Sequence, residues 1–221
     1  MAEKKVYVVD GVRTPFLKAR GQQGSFSAAD LAVAAGRPLL ARMPFAASDI
    51  DEVIVGCVIA APDEANIARI IALRLGCGKG VPAYTVQRNC ASGLQALSNG
   101  RERIALGLAD LVLAGGTEAM SRSPIQWNAA MVAWLANIMR AKNVGARLKA
   151  MAGFRLAQLA PVYTLLLGLT DPVVKLNMGQ TAEIVAHRFG LTREAQDAYA
   201  LQSHQRLAAA LDSGVMNDEI T

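Results

Sequence analysis

Hydrophobic residues in the first 120 positions follow two alternating patterns. Continuous apolar or β-branched runs, typical of strands covered on both faces, occupy residues 6–9, 53–58, 83–86 and 111–114. Apolar residues at helical spacing fill the intervals and predict helices over residues 28–43, over residues 67–75 and from about residue 91. This order predicts an α/β fold with an open, mixed but mostly parallel sheet and helices on both of its faces.

Glycine and proline predict where these helices break or end. We expect the first helix to be interrupted near Pro38, because proline lacks a backbone N–H, and the second to end at Gly76. The third helix places Leu94, Leu97 and Leu108 on one apolar face.

From residue 121 to about residue 171 the pattern becomes mainly helical. A stripe at helical spacing runs from Met131 to Met139, and further helices are predicted from Met178 to Phe189 and from about Thr192 to Leu211. We therefore divide the chain into an α/β core (1–120), a basic, mainly helical insertion (121–180) and closing helices (181–221).

Composition favours a folded protein whose layers lie close together. Of the 221 residues 52% are hydrophobic, 19% are charged and only 5% are aromatic, with alanine frequent. The net charge of +5 comes from one segment, because six basic residues and no acidic one lie between Ala119 and Thr170. The six basic residues are Arg122, Arg140, Lys142, Arg147, Lys149 and Arg155.

The basic segment indicates a local anionic partner, and three interpretations remain open. It can bind the phosphates of a nucleotide-type ligand, it can be an ordinary solvated surface, or residues 127–155 can contact an anionic membrane or a partner subunit. We expect no nucleic-acid binding, because the segment has no recognisable motif and few aromatic residues.

The three cysteines indicate a reducing compartment. Cys57, Cys77 and Cys90 are odd in number and fit no zinc-binding spacing, so we expect free thiols and no metal site. The N-terminus carries no leader-like apolar stretch and no apolar run is long enough to span a bilayer. We therefore expect a cytoplasmic protein.

The candidate nucleophile is Cys90. Residues 86–94 pass from a predicted strand into a predicted helix, and we expect Cys90 in the first turn of that helix. The positive end of the helix dipole would stabilise a thiolate there. A buried structural cysteine is the alternative on spacing alone.

Several motifs resemble those of the thiolase family. Asn89-Cys90-Ala91-Ser92-Gly93 is similar to the family's nucleophile motif. Four further segments agree with the family in order and spacing: 9–16, 66–69, 115–121 and 177–183. The resemblance extends from about residue 4 to the last residue.

The resemblance implies an acyltransferase that cleaves or forms 3-ketoacyl-CoA through an acyl group on Cys90. It implies acyl-CoA substrates, no permanently bound cofactor, and a homo-oligomer that pairs through the strand at residues 83–88. It also implies that Asn177 and Met178 shape the acyl pocket, although many thiolases have histidine at the position of Asn177.

The chain departs from the family pattern because it resembles only the N-terminal half and the loop domain. The family's Gly-His-Pro, Asn-Glu-Ala-Phe and second Cys-x-Gly motifs are missing, and neither His187 nor His204 lies in a comparable context. We therefore expect the chain alone to be inactive, with an apolar helix face that is exposed or covered by another part. The alternatives are a non-catalytic half that binds CoA or joins a partner carrying the second half, and a ketoacyl-synthase-type condensing enzyme.

Overall fold

The computed structural model describes residues 4–19 and 23–221. In chain order the helices and strands are α1 (Ala28–Ala41), β1 (Glu52–Gly56), α2 (Ile67–Leu75), β2 (Ala83–Val86), α3 (Ser92–Ala105), β3 (Val112–Gly116), β4 (Ile125–Trp127), α4 (Ala129–Arg140), α5 (Val144–Ala152), β5 (Pro161–Tyr163), α6 (Thr164–Gly168), α7 (Met178–Arg188) and α8 (Arg193–Asp212). The chain forms two compact units. Unit 1 contains the residues up to Arg122 together with Arg193–Thr221, and unit 2 is Ser123–Thr192. The predicted division of the chain into three parts, at residues 1–120, 121–180 and 181–221, stays a prediction.

The sheet of unit 1 is parallel, with the strand order β2-β1-β3. Ile54 of β1 pairs with Tyr84 on one side and Ala114 on the other. Val53 and Val55 belong to the core that α1 and α2 cover, while the alternate residues of β1 point toward α3. The predicted parallel sheet with helices on both faces is confirmed.

Close packing of α1 against α2 explains why the predicted interruption of the first helix is wrong. A Cβ on Gly36 would lie 2.8 Å from Leu75 Cδ1, so glycine lets the two helices approach each other. Pro38 lies inside α1, which continues to Ala41. Pro38 cannot donate a backbone hydrogen bond within α1, and the packing of α1 against α2 compensates for that loss. The predicted end of α2 at Gly76 is confirmed, because Gly76 adopts φ +85°.

Small residues bring α3 onto the other face of the sheet. Ala96 and Gly100 are buried, and a Cβ on Gly100 would lie 3.2 Å from Val112 Cγ1. The opposite side of α3 exposes Leu94, which is 70% accessible, and Leu97. Leu108, predicted on the same helix face, lies beyond the end of α3 at Ala105, because the chain turns at Gly107 with φ +72°. The expected uncovered apolar helix face is therefore present.

The predicted first strand at residues 6–9 does not form. The segment has no regular secondary structure and belongs to no sheet, and Val8 is 87% exposed. Ion pairs hold its two ends, Lys4 to Asp110 and Arg42 to Asp10. A β-branched run becomes a strand only where a neighbouring strand pairs with it, and no described strand does so here.

The loop after this segment is tied to the C-terminal residues of unit 1. The backbone N–H of Arg13 donates to Glu219 O at 2.8 Å, and the N–H of Thr221 donates to Arg13 O at 3.1 Å. The Arg13 guanidinium also pairs with the Glu219 carboxylate. These bonds give residues of the 9–16 motif a structural role.

Unit 2 contains the antiparallel pair β4–β5 and a hairpin of α4 and α5. Trp134 Nε1 donates to Ala150 O at 2.9 Å, and the Trp134 and Phe154 rings lie 5.1 Å apart. Of the predicted stripe, Met131 is buried, but Met139 is exposed. In the part of the chain that is described, no helix is both long and apolar enough to cross a membrane.

Substitution of Gly56 tests how closely α3 approaches the sheet. A Cβ at Gly56 would lie 2.3 Å from the backbone carbon of Ser92, so we expect Gly56→Ala to cost about 3 kcal/mol of unfolding free energy. Gly115→Ala is the matched control in β3, because nothing lies within 4 Å of its added Cβ, and it should change stability by less than about 0.5 kcal/mol. Urea unfolding measures both, and equal effects would contradict this packing.

Candidate active site

The candidate site lies where the three parallel strands of unit 1 end. Gly56, Val86 and Gly116 are the last residues of β1, β2 and β3, and parallel strands end at the same edge of a sheet. The segments that follow these strands carry Cys57, Cys90 and Glu118 respectively. The resemblance-based nucleophile is therefore at the edge where α/β sheets usually bind ligands.

A sharp turn connects β2 to α3. The N–H of Ala91 donates to Arg88 O at 3.1 Å and the N–H of Ser92 donates to Asn89 O at 3.0 Å. Asn89 adopts φ +48°, the left-handed conformation that a short polar side chain tolerates better than most. The chain therefore reverses within four residues before α3 begins.

Ser92 holds this turn together. Its buried hydroxyl Oγ accepts from the Arg88 N–H at 2.8 Å and donates to Asn89 O at 2.7 Å. On the exposed side of the turn, Arg88 Nη1 donates a hydrogen bond to Gln95 Oε1 at 2.7 Å. Hydrophobic periodicity gives no indication of this role of Ser92, whereas a small polar residue at the start of a predicted helix does.

The turn leaves Cys90 exposed and unpaired. The prediction that Cys90 lies in the first helical turn is wrong by two residues, because α3 begins at Ser92 with Ala91 as its N-cap. The hydrogen bonds of Ser92 fix the preceding residues in a non-helical turn. Cys90 thus lies just outside the helix, at the positive end of its dipole.

Glycines let the start of α3 lie against the ends of β1 and β3. A Cβ on Gly116 would lie 3.0 Å from Gly93 Cα, and the backbone at Ser92 leaves no space for a side chain at Gly56. Backbone therefore packs against backbone beneath the turn that carries Cys90.

The other two cysteines are buried. Burial and the nearby Glu118 carboxylate raise the pKa of the Cys57 thiol to about 12, and burial raises the pKa of the Cys77 thiol. Both thiols are therefore protonated near neutral pH. Their burial indicates that Cys57 and Cys77 pack in the core.

The segment at residues 115–121 fastens neighbouring loops. The Glu118 carboxylate accepts hydrogen bonds from the N–H groups of Val58 at 2.9 Å and Ile59 at 3.3 Å. Thr117 Oγ1 donates to Ala28 O at 2.6 Å, at the start of α1. These bonds indicate that the 115–121 motif supports the edge of the sheet where β1, β2 and β3 end.

The segment at residues 66–69 supports β2 from the other side. Asn66 caps α2, and its Nδ2 donates to Ala83 O at 3.1 Å. Arg69 donates to the carbonyl groups of Val81 and Lys79 at 2.8 and 2.7 Å. The motif thus anchors the strand that leads to Cys90.

Asn177 and Met178 lie in unit 2. Asn177 is the N-cap of α7, and its side-chain oxygen accepts from the Gln180 N–H at 2.8 Å while Gln180 Oε1 accepts from the Asn177 N–H at 2.9 Å. Met178 is the first residue of α7 and its side chain is exposed. Capping explains Asn177 without a substrate, and the acyl-pocket role of both residues stays a prediction.

The two histidines lie on exposed helix surfaces, His187 on α7 and His204 on α8. Within residues 4–19 and 23–221, no three His, Cys, Asp or Glu side chains gather as a metal site requires. The described site thus presents the Cys90 thiol. His204, the histidine of unit 1, is more than 100 positions from Cys90 in the sequence.

Comparison with known proteins gives consistent matches. The family model described as thiolase, N-terminal domain, matches residues 6–221. A 3-ketoacyl-CoA thiolase of Yersinia pestis (strain Pestoides F) is 36% identical over 216 residues, which cover 98% of this chain and 49% of that protein.

Solved structures agree with this match. The acetyl-CoA acetyltransferase of Bacillus anthracis has a TM-score of 0.82 at 34% identity, covering all of this chain and 51% of the other. Human mitochondrial 3-ketoacyl-CoA thiolase in complex with CoA has a TM-score of 0.77 at 36% identity, covering 95% and 48%.

A parallel sheet that presents an exposed cysteine at a strand-to-helix turn defines an α/β protein built around a candidate nucleophile. The chain belongs to the thiolase family, and it matches the family's N-terminal domain. It spans about half the length of the curated relatives it matches.

Removal of the Ser92 hydroxyl tests the turn. Ser92→Ala removes the buried hydroxyl that accepts from the Arg88 N–H and donates to Asn89 O, so we expect a loss of about 1–3 kcal/mol in unfolding free energy. Faster hydrogen exchange of the Arg88 amide should accompany it. Ser98→Ala, at an exposed position of the same helix, is the control and should change stability by less than about 0.5 kcal/mol. An Arg88 amide that exchanges equally slowly in both variants would refute the role of Ser92.

Proposed function

We propose that this chain supplies the acyl-accepting part of a thiolase active site, with Cys90 as the nucleophile. The observation that carries the proposal is the exposed Cys90 thiol on a braced turn, while Cys57 and Cys77 are buried. Membership of the thiolase family supports the reaction class.

The proposed reaction has two transfers. The Cys90 thiolate forms a bond to the 3-keto carbon of a 3-ketoacyl-CoA, the bond between C2 and C3 breaks, and C2 takes a proton to leave as acetyl-CoA. The thiolate of a second CoA then attacks the acyl-Cys90 thioester, which releases the shortened acyl-CoA and restores the Cys90 thiolate. Claisen condensation is the reverse sequence.

The proposed chemistry needs groups besides the Cys90 thiol. A base must ionise the thiol, hydrogen-bond donors must stabilise each oxyanion, and an acid or base must serve C2. We propose that a second half, carried by a partner, supplies them and that the chain alone does not turn over. The coverage of about half of each relative and the exposed apolar face of Leu94 and Leu97 support this proposal.

Coenzyme A thioesters are the proposed substrates, with no permanently bound cofactor. The name of the human structure records a complex with CoA, and unit 2 carries exposed basic side chains suited to phosphates. We assign Asn177 and Met178 to the acyl pocket on the family resemblance alone. Thiolase and acetyltransferase relatives favour this reading over a ketoacyl-synthase-type enzyme.

A homo-oligomer through residues 83–88 is the proposed assembly. β2 is an edge strand of the described sheet, hydrogen-bonded only to β1, so its other edge is open to a second strand.

The free state of the three cysteines supports a reducing, cytoplasmic location. A non-catalytic half that only binds CoA is the second candidate function, because no histidine lies in the turn that carries Cys90.

Mass spectrometry with acetoacetyl-CoA tests the acyl-transfer proposal. The chain is mixed with the substrate alone, and then with substrate plus the separately produced C-terminal half of the Bacillus anthracis enzyme. We expect one acetyl group on Cys90, located by peptide mapping, only when the second half is present. Cys90→Ser should remain unmodified in both samples.

Two outcomes would contradict the proposal. Acetylation of Cys57 or Cys77 instead of Cys90 would show that the turn does not present the nucleophile. A complex of the two halves that binds CoA and never acetylates Cys90 would favour the non-catalytic half.

A further inference from the structure

A line of four polar side chains connects the turn that carries Cys90 to α3 and β2, and we call it the polar chain. Arg88 Nη1 donates to Gln95 Oε1 at 2.7 Å. Gln95 Nε2 donates to Asn99 Oδ1 at 2.6 Å, and Asn99 Nδ2 donates to the Tyr84 hydroxyl at 3.4 Å. Arg88 is exposed and the other three side chains are half-buried. Gln95 and Asn99 lie one helical turn apart, so they share a face of α3.

The arginine sets the direction of every hydrogen bond in the polar chain. A guanidinium donates hydrogen bonds and cannot accept them, so the Gln95 amide turns its oxygen toward Arg88. Its NH2 group then faces Asn99, whose own amide is oriented in the same way toward the Tyr84 hydroxyl. Loss of the contact between Arg88 and Gln95 therefore frees the orientation of both amides.

Arg88 is attached to α3 at two points. Its backbone N–H donates to Ser92 Oγ at 2.8 Å at the start of the helix, and its side chain reaches Gln95 about one turn further along. Arg88 O also accepts from the Ala91 N–H at 3.1 Å. The residue two positions before Cys90 is thus held by its backbone and its side chain together.

The polar chain also joins the strand before the turn to the helix after it. Tyr84 lies in β2 and pairs with Ile54 of β1, while Asn99 lies in the middle of α3. A hydrogen bond to a charged donor is stronger than one between neutral groups, and a half-buried amide that loses its partners is costly. These features distinguish the polar chain from an ordinary surface contact.

We propose that Gln95 is a positioning residue for the Cys90 nucleophile. It acts through Arg88, and Asn99 and Tyr84 hold its amide in the required orientation. This inference rests on the proposed function of Cys90. Acyl transfer requires the Cys90 Sγ to stay within reach of the 3-keto carbon, so a turn that moves lowers the rate of transfer rather than the affinity for the substrate.

Two substitutions of Gln95 test the proposal in the complex with the C-terminal half of the Bacillus anthracis enzyme. Gln95→Leu removes the acceptor for Arg88. Gln95→Glu keeps that acceptor, and the Asn99 amide can turn to donate to it while the Tyr84 hydroxyl donates to Asn99. The readouts are the rate constant for acetylation of Cys90 at saturating acetoacetyl-CoA and the substrate concentration that gives half of that rate.

We expect Gln95→Leu to lower the rate constant about tenfold at an unchanged half-saturating concentration. Gln95→Glu should stay within about twofold of the parent chain, because the hydrogen bond to Arg88 remains.

Amide hydrogen exchange of the full chain alone gives a readout that does not need the reaction. Gln95→Leu should speed the exchange of the Ala91 and Ser92 amides about tenfold, while unchanged exchange of the β1 amides shows that the core is intact. Glu102→Leu is the matched control, because it adds the same leucine at an exposed position of α3 outside the polar chain. It should leave the exchange of the turn unchanged.

The proposal is overturned if Cys90 is acetylated as fast in Gln95→Leu as in the parent chain. It is also overturned if Gln95→Glu loses as much rate as Gln95→Leu, since the effect would then be one of packing, or if the turn amides exchange equally in Gln95→Leu and Glu102→Leu. If the parent chain never acetylates Cys90 in the complex, the proposed function fails instead, and the exchange measurement still decides whether Gln95 holds the turn.

Discussion

The close approach of α3 to the carboxyl ends of β1 and β3 is the constraint on which the site depends. Gly56, Gly93 and Gly116 place backbone against backbone there, and even one added methyl group at Gly56 would overlap α3. Because the start of α3 lies against the sheet, the chain after β2 reverses within a few residues. The left-handed Asn89 and the two hydrogen bonds of the Ser92 hydroxyl make that reversal. Cys90 is exposed as a consequence of this packing.

The exposed surfaces of unit 1 support the proposal that another polypeptide packs against it. One face of α3 packs through small residues, while Leu94 and Leu97 on its other side remain uncovered. Among the described residues, no strand pairs with the outer edge of β2 or with the segment at residues 6–9. Apolar area of this kind usually belongs to an interface.

Much of this fold could be predicted from the sequence where local pattern and packing agree. The apolar run at residues 53–58 became β1 because strands lie on both sides of it, and α2 ended at Gly76 because glycine accepts the required φ. Residues 6–9 carry an equally good strand pattern, but pairing depends on a neighbour that no local pattern reveals. Pro38 failed as a helix breaker because the fit of Gly36 against Leu75 is a tertiary contact. The proposal that Cys90 is the nucleophile came from its motif. Its place two residues before α3 depends on hydrogen bonds of Ser92, which the hydrophobic periodicity does not reveal.

The central claim is that the turn presents Cys90 while the rest of unit 1 hides the other thiols. The most direct measurement is the alkylation rate of each cysteine by iodoacetamide at pH 8, followed by peptide mass spectrometry in the folded chain and in urea. Because Cys57 and Cys77 are buried with raised pKa values, we predict that Cys90 reacts about a hundredfold faster or more in the folded chain, and that the three rates converge in urea. If Cys57 or Cys77 reacted as fast as Cys90 in the folded chain, the account of the site would be wrong.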